Sequence, residues 1–349
     1  MHTHETYMNR CIQLAKLGQG NVAPNPMVGA VIVYQDKIIG EGYHEEFGKP
    51  HAEVNAIHSV ADKSLLKEAT IYVSLEPCAH FGKTPPCANL IVEHQLKKVI
   101  IGSRDPHSKV DGKGIKILKN NGIKVISGVL QEECDALNKR FFTFHRKKRP
   151  FVVLKWAETC NGKIDNGGNK NEVSWISCPE SQIFVHHLRK ENQGILVGRK
   201  TVENDNPSLT LRRIEGKNPI RIILDSNCTL KRDRTIFNLE SKTIILNKEK
   251  NSHSESNEWI KVEDLSPKTI LQTIYTKNID SILIEGGKAT LQSFINENLW
   301  DEAHVFISDK EFENGTDAPK INLVPIIKEK YFNDTYLFFN NKKADLIHF

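Results

Sequence analysis

Two α/β domains in tandem are the fold that the sequence predicts, and three observations carry that reading. Short apolar runs rich in valine and isoleucine alternate with amphipathic stretches along the chain. The alternation stops at a basic run, HRKKRP at 145–150, and restarts after it. At 349 residues the chain is too long for one average domain and long enough for two that each bury a core. The expected division is 1–147 and 148–349.

Residues 5–17 place Met8, Cys11, Ile12 and Ala15 on one face at helical spacing, and GQGNVAPNP then breaks the pattern. MVGAVIV reads as a buried strand, and the turn YQDK joins it to KIIGEGY in a hairpin. Pro50 suits the first turn of a helix, so HAEVNAIHSV is predicted to start one. TIYVSL at 70–75 is a strand, CANLIVEH a helix start, KVIIG a strand, GKGIKILKNNG a helix closed by glycine and KVISG a further strand. In the second half FVVLKWA, GILVG, PIRIILD, KTIILN and DSILIEGG read as strands, ESQIFVHHLRK as a helix and NKEKNSHSESNEW as a polar surface excursion. No internal repeat interrupts this order.

Hydrophobic residues at 39% and charged residues at 26% suit a soluble globular protein. No apolar run approaches the roughly 20 residues that a membrane span needs, and the start MHTHETYMNR has neither a basic leader nor an apolar core, so a cytoplasmic location is expected. Seven cysteines at irregular spacing argue against a disulfide framework. Cys78 and Cys87 stand in a suggestive context, whereas Cys11, Cys134, Cys160, Cys178 and Cys228 read as packing residues. A net charge of +5 allows anionic ligands without requiring nucleic acid, and the basic run reads as a solvated linker.

His51, Cys78 and Cys87 offer one imidazole and two thiolates, a donor set suited to tetrahedral zinc with one position left open for water. Each comes near a predicted helix N-terminus, where free N–H groups favour thiolate over thiol. Glu53, two residues beyond the histidine, is placed to work on such a water. Zinc lowers the pKa of a bound water to about 7, and a neighbouring carboxylate can carry the proton to a leaving amine. H-x-E followed by a proline-flanked cysteine pair is the signature of zinc deaminases, with the glutamate as acid/base. Eight residues, AHFGKTPP, separate the cysteines here instead of two. His80 is the one obvious candidate for a fourth protein ligand and reads better as a substrate contact.

In the second half, the strand ending in Glu285, Gly286 and Gly287 runs into a helix, which offers backbone N–H groups and close approach to a phosphate. DNPSLTLR combines Asp205 with Arg212, and Arg189 arrives from the preceding helix. Two arginines converging there would grip a ribose phosphate bidentately. If a hydride is transferred here, as the resemblance given next implies, Lys155 and Asp205 are the ionisable candidates for assisting it, and the transfer needs little beyond positioning.

PNPMVGAVIV from Pro24, HAE at 51–53 and PCAHFGKTPPC from Pro77 together resemble the deaminase half of the RibD family of bifunctional riboflavin-biosynthesis enzymes. LKWAETCNGKI, VSWIS, LRKENQGILVGRKTVENDNPSLTLR, ILDS and IEGGKATLQSF resemble, in order, the motifs of its reductase half. The resemblance covers nearly the whole chain. It implies an N-terminal cytidine-deaminase-like three-layer α/β/α domain and a C-terminal dihydrofolate-reductase-like α/β domain, with one zinc ion per chain and NADPH as cofactors. The implied chemistry is deamination of a phosphoribosylamino-diaminopyrimidine, then reduction of its ribosyl group to ribityl, by a homo-oligomer, dimer or tetramer.

The resemblance also implies roles residue by residue. His51, Cys78 and Cys87 hold the metal and Glu53 is catalytic, while Asn25, His44, His80 and Lys83 line the pyrimidine and phosphate pocket. In the reductase, Val173, Arg189, Leu209, Arg212 and Glu285 contact substrate. Thr159, Trp175, Thr201, Asp205, Ser226 and the run Gly287, Lys288, Ala289, Thr290, Leu291, Gln292 and Ser293 face the cofactor. The chain departs from the family pattern at His107 and Ser108, where DPNP is common, at Asn161, where aspartate is usual, and at Lys200, where glycine is usual. The asparagine keeps a turn-forming side chain, and Lys200 adds a positive charge that suits the NADP phosphate.

Two rival readings remain at this point. A nucleic-acid deaminase with a C-terminal binding module would need a strongly basic, aromatic-rich second domain, against which stand the modest charge and the GG loop. A protein that uses zinc for folding alone would not need Glu53.

Overall fold

The structure is a computed structural model that describes residues 3–80, 85–167, 175–342 and 344. It divides into two compact units, Met1–Arg146 and Lys147–Phe349.

In the first unit α1 (His4–Lys16) starts at Thr3, whose hydroxyl accepts the Thr6 N–H, and buries Tyr7, Met8, Cys11 and Ile12. Strands β1 (Gly29–Tyr34) and β2 (Lys37–Tyr43) form an antiparallel hairpin that turns on Gln35 and Asp36, both at positive φ. After α2 (Ala52–Ser59) come β3 (Thr70–Leu75), α3 (Cys87–Glu93), β4 (Lys98–Ser103), α4 (Lys113–Asn120), β5 (Lys124–Ser127), α5 (Gln131–Leu137) and α6 (Lys139–Lys147). The sheet order is β2-β1-β3-β4-β5, with β3, β4 and β5 parallel. Alternation sends Ile32, Val73 and Val99 to the face covered by α2, α3 and α4, and Val31, Tyr72 and Ile100 to the face covered by α1 and α5. The three layers are those expected. A Cβ on Gly42 would overlap the Ala56 nitrogen and the Ala52 carbonyl, so glycine there lets α2 lie directly on β2.

The second unit holds β6 (Phe151–Glu158), α7 (Pro179–Glu191), β7 (Gly194–Gly198), α8 (Arg199–Asp205), β8 (Ile220–Leu224), β9 (Thr243–Asn247), β10 (Ser252–His253) and β11 (Asn257–Lys261). It continues with α9 (Pro267–Thr276), β12 (Ser281–Ile284), α10 (Lys288–Asn296), β13 (Glu302–Ile307), β14 (Ile327–Tyr331) and β15 (Asp334–Asn340). The sheet order is β10-β11-β9-β8-β7-β12-β6-β13-β15-β14. From β11 to β13 all neighbours are parallel, so their C-terminal ends share one edge, where open α/β sheets bind ligands. Helices α9 and α10 pack on one face against Val152, Leu154 and Trp156. On the other, α7 packs against Val153 and Leu283, and α8 against Val197 and Ile223.

Three expectations need correction. The polar excursion contains β10 and the first half of β11, because Trp259 is buried against β9 and pulls its neighbours into the sheet. The basic run is not a solvated linker: its first residues belong to α6, and the fully buried Arg149 makes hydrogen bonds of 2.6 and 2.7 Å to Asp301. Cys160 is exposed, its thiol donating to the Lys310 carbonyl at 3.2 Å, so it is no packing residue. Strands β13 to β15 had no counterpart in the sequence reading.

Candidate functional sites

His51 is the N-cap of α2, Cys87 is the first residue of α3, and Cys78 follows β3 by three residues. The Cys87 N–H donates to the Cys78 sulfur at 3.2 Å, and the Ala88 N–H to the Cys78 carbonyl at 3.2 Å, so the α3 N-terminus holds the thiolate. His51 Nδ1 lies 3.7 Å from Cys78 Sγ and 3.4 Å from Cys87 Sγ, and the three donors fall within 4.8 Å of one another. A tetrahedron with the usual Zn–N and Zn–S bond lengths has an N···S edge of about 3.6 Å. The donor set therefore fits zinc in both chemistry and spacing.

Protons are distributed unevenly over the donors. The hydrogen bond from Cys78, opposed by burial, lifts His51 to about 9. Cys78 falls to about 4, through its hydrogen bonds with Cys87 and His51, while Cys87 is held well above the ordinary thiol range by Cys78 and by burial. Metal binding displaces such protons from imidazole and thiol. Glu53, in the first turn of α2, is 3% exposed, and burial raises its pKa, so its carboxyl is suited to hold a proton.

Asn25 and His44 join this centre. The buried His44 donates from Nδ1 to the Pro50 carbonyl at 3.0 Å, which makes Nε2 the acceptor of the Asn25 amide N–H at 3.1 Å. Its ring meets that of His51 at 5.3 Å, and burial keeps it neutral. His80 is exposed and stacked on His107 at 6.1 Å, and Lys83 lies outside the described residues. Glu76 escaped the sequence reading: buried, it accepts the N–H groups of Gly112, Ile115 and Asp105 at 3.0, 3.2 and 3.3 Å, and so holds the start of α4 and the DPHS loop. Its signal was a carboxylate between a strand and the Pro-Cys pair.

The second constellation lies at the strand ends. Thr159 follows β6, Ser226 follows β8 and Glu285 follows β12. A Cβ on Gly286 would sit 3.0 Å from Thr201 Oγ1, and one on Gly198 3.2 Å from Thr290 Oγ1, so the β7–α8 and β12–α10 turns are packed together. Gly287 takes φ +70, the left-handed region that favours glycine. Gly287, Lys288, Ala289 and Thr290 stand at the edge itself. Leu291 is buried in the core, so only its main chain can face a cofactor, and Ser293 donates back to the Thr290 carbonyl. Trp175 is exposed and its carbonyl accepts Lys310 Nζ, while Asp205 is exposed at the end of α8. Val173 lies outside the described residues.

Arg189, Leu209, Arg212 and Glu285 come together. Arg189 spends its fork on Glu285, by two bonds of 2.7 Å, and its remaining nitrogen on the Thr210 carbonyl at 3.1 Å. These bonds use three of the five N–H groups of Arg189, and one on each terminal nitrogen remains. Lys155 is close enough to Glu285 to feel its charge, although burial lowers the lysine pKa. At the family departure, Asn161 accepts from the Thr159 hydroxyl at 2.6 Å and donates to the Phe312 carbonyl at 2.9 Å.

Residues 1–103 match the cytidine and deoxycytidylate deaminase zinc-binding region, and residues 150–310 match the RibD C-terminal domain. The riboflavin biosynthesis protein RibD of Aquifex aeolicus is 41% identical over 320 residues, covering 89% of this chain and 88% of its own. That of Bacillus amyloliquefaciens is 36% identical over 349 residues, 92% of each. The crystal structure of a diaminohydroxyphosphoribosylaminopyrimidine deaminase/5-amino-6-(5-phosphoribosylamino)uracil reductase from Thermotoga maritima is similar over 97% of this chain and 98% of that one, with a TM-score of 0.87 and 40% identity. RibD of Acinetobacter baumannii gives a TM-score of 0.86 at 31% identity, with the same coverage. With a zinc-type donor set in one unit, a strand-end cofactor edge in the other and relatives matched along both, the chain belongs to the RibD family of riboflavin-biosynthesis proteins.

Proposed function

We propose that the chain catalyses two consecutive reactions of riboflavin biosynthesis. Residues 1–147 deaminate 2,5-diamino-6-(5-phosphoribosylamino)pyrimidin-4(3H)-one to 5-amino-6-(5-phosphoribosylamino)uracil. Residues 148–349 then reduce the ribosyl group to ribityl, giving 5-amino-6-(5-phosphoribitylamino)uracil. The observation that carries the reading is the His51, Cys78 and Cys87 group beside a buried glutamate that is not part of it.

His51, Cys78 and Cys87 would hold one zinc ion per chain, which would supply a Lewis acid able to activate water at neutral pH. Glu53 takes a proton from the attacking water and returns it to the departing nitrogen, so that a C–O bond forms, the C–N bond breaks and ammonia leaves. Asn25 reads the ring edge, His44 fixes the Asn25 amide, and His80 and Lys83 serve the phosphoribosyl group.

NADPH supplies the hydride of the second reaction. Thr159, Trp175, Thr201, Asp205, Ser226 and the stretch 287–293 would hold it, and the main-chain N–H groups at the α10 N-terminus are suited to phosphate. Arg189 and Arg212 serve the ribose phosphate, with Val173, Leu209 and Glu285 beside the substrate, and Arg189 also holds Glu285 in one orientation. The reading includes a cytoplasmic homo-oligomer, dimer or tetramer, with no nucleic-acid partner. Among the described residues no helix is long and apolar enough to cross a membrane.

The decisive experiment measures zinc content, ammonia release and NADPH oxidation on the authentic diaminopyrimidine. We expect one zinc per chain, ammonia release without NADPH, and NADPH oxidation only after it. Folded, zinc-loaded protein that does neither, or that is retained tightly on single-stranded nucleic acid without binding NADPH, overturns the reading.

A further inference from the structure

The segment 206–212 carries Leu209 and Arg212 but belongs to no helix or strand. Asn206 ends α8 at φ +40, and Leu209, 3% exposed, sits at φ +55, a conformation leucine adopts only when its surroundings impose it. Side chains hold the segment in place of a backbone ladder. Arg221 Nε donates to the Ser208 carbonyl at 2.9 Å and Arg189 Nη1 to the Thr210 carbonyl at 3.1 Å. Asn218 Oδ1 accepts the Leu211 N–H at 2.9 Å, and His186 Nδ1 accepts the Arg212 N–H at 3.2 Å.

His186 and Arg189 stand one turn apart on the buried side of α7, both 9% exposed or less. They take main-chain groups of alternate residues, the Thr210 C=O and the Arg212 N–H, as a paired strand would. The Arg212 N–H needs an acceptor, and arginine has none to offer. A carboxylate here would accept the N–H but would also draw in the Arg212 guanidinium, which is read as meeting the phosphate. A neutral imidazole accepts and does not compete.

We propose that His186 is a positioning residue of the reductase reaction, fixing the Arg212 main chain through Nδ1 so that the guanidinium is set toward the ribose phosphate. The inference rests on the reading that Arg212 meets that phosphate.

The test compares His186→Asn, whose Oδ1 takes the place of Nδ1, with His186→Asp and His186→Leu, by steady-state kinetics on the phosphoribosylaminouracil and NADPH. His186→Leu removes one hydrogen bond and should raise the KM for the phosphoribosyl substrate about tenfold. His186→Asp should raise it at least as much, and His186→Asn should restore it to within about threefold of the parent. Through all three, kcat, the KM for NADPH and ammonia release should stay close to parental values, a split that a merely structural role does not produce. Equal KM values for the asparagine and aspartate variants overturn the proposal. So does a parallel loss of kcat and NADPH binding. Arg212→Ala separates the two layers. If it leaves the substrate KM unchanged, the reading of the segment fails and takes this inference with it. If it raises that KM while the His186 variants do not, this inference alone fails.

Discussion

Arg189 and Glu285 face each other through two parallel hydrogen bonds of 2.7 Å, Nε to Oε1 and Nη2 to Oε2, with only 10% and 9% of their side chains exposed. A buried bidentate pair of this kind is poor at adding stability over an apolar pair but severe when half of it is removed, because the survivor keeps an uncompensated charge. Glu285→Ala should therefore destabilise the second unit by about 3 kcal/mol or more. All four tryptophans, at 156, 175, 259 and 300, lie in that unit, so urea unfolding followed by tryptophan fluorescence reports on it selectively. Burial pushes the Glu285 carboxyl up, but the charge and hydrogen bonds of Arg189 outweigh it and leave it below the ordinary 4.5. A depressed carboxyl stabilises the fold fully above its unfolded pKa, and that share is lost as pH falls through the folded value. Glu285→Ala should accordingly narrow its gap to the parent below about pH 4. A constant gap would mean that the pair does not set the acid limit.

Glu53 is buried beside the three donors without completing their geometry. Glu53→Gln keeps the volume and removes the group that moves a proton. Zinc per chain should stay at one, and ammonia release should fall by a factor on the order of a thousand. Elemental analysis beside an ammonia assay reads both. Loss of zinc would make Glu53 a ligand, and full activity would remove it from proton transfer.

The metal donors were legible in the sequence because each stands at a local signal: His51 caps a helix, Cys87 opens one, and Cys78 follows the end of β3 by three residues. Most strands were legible for a similar reason, their β-branched runs being buried on both faces. Other features depend on residues far apart in the chain. Arg149 looked solvated until Asp301, 152 residues on, came to neutralise it. The pairing of Arg189 with Glu285, 96 residues on, had no local signal either. Strand β14 is exposed from Ile327 to Lys330 and has no apolar pattern to announce it, and β10 is two exposed polar residues. His186, inside a helix read correctly from its spacing, gave no sign that its ring would meet a main-chain N–H 26 residues later.

Asn161 stands where aspartate is usual, and the structure gives its amide a use. Oδ1 accepts from the Thr159 hydroxyl, and Nδ2 donates to the Phe312 carbonyl at 2.9 Å. Asn161→Asp keeps the acceptor and sets a carboxylate oxygen against a carbonyl oxygen. The loop is exposed, so the cost should be about 1 kcal/mol or less, with weaker NADPH binding because Thr159 loses a fixed partner. Fluorescence titration with NADPH and thermal unfolding would measure the two effects. Unchanged values in both would show that the bond to Phe312 is dispensable.

His186 gives a pH signature that can be computed in sign. Burial, with the charges of Arg189, Arg212 and Arg213 acting together against Glu285, brings its imidazole from 6.5 down to about 4. Between those values the unfolded chain binds a proton that the folded one refuses, so stability falls as the solution is acidified. The contribution of the neutral ring is intact above pH 6.5, declines toward pH 4 and is constant below it. Asparagine does not titrate. The stability of His186→Asn relative to the parent should therefore improve on going from pH 7 to pH 4, by on the order of 2 kcal/mol. Urea unfolding at four pH values, read by tryptophan fluorescence, gives the difference directly, because acidic groups common to both proteins cancel. Parallel curves would mean that the histidine titrates alike in the folded and unfolded chains, and the neutral acceptor of the Arg212 N–H would be lost with them.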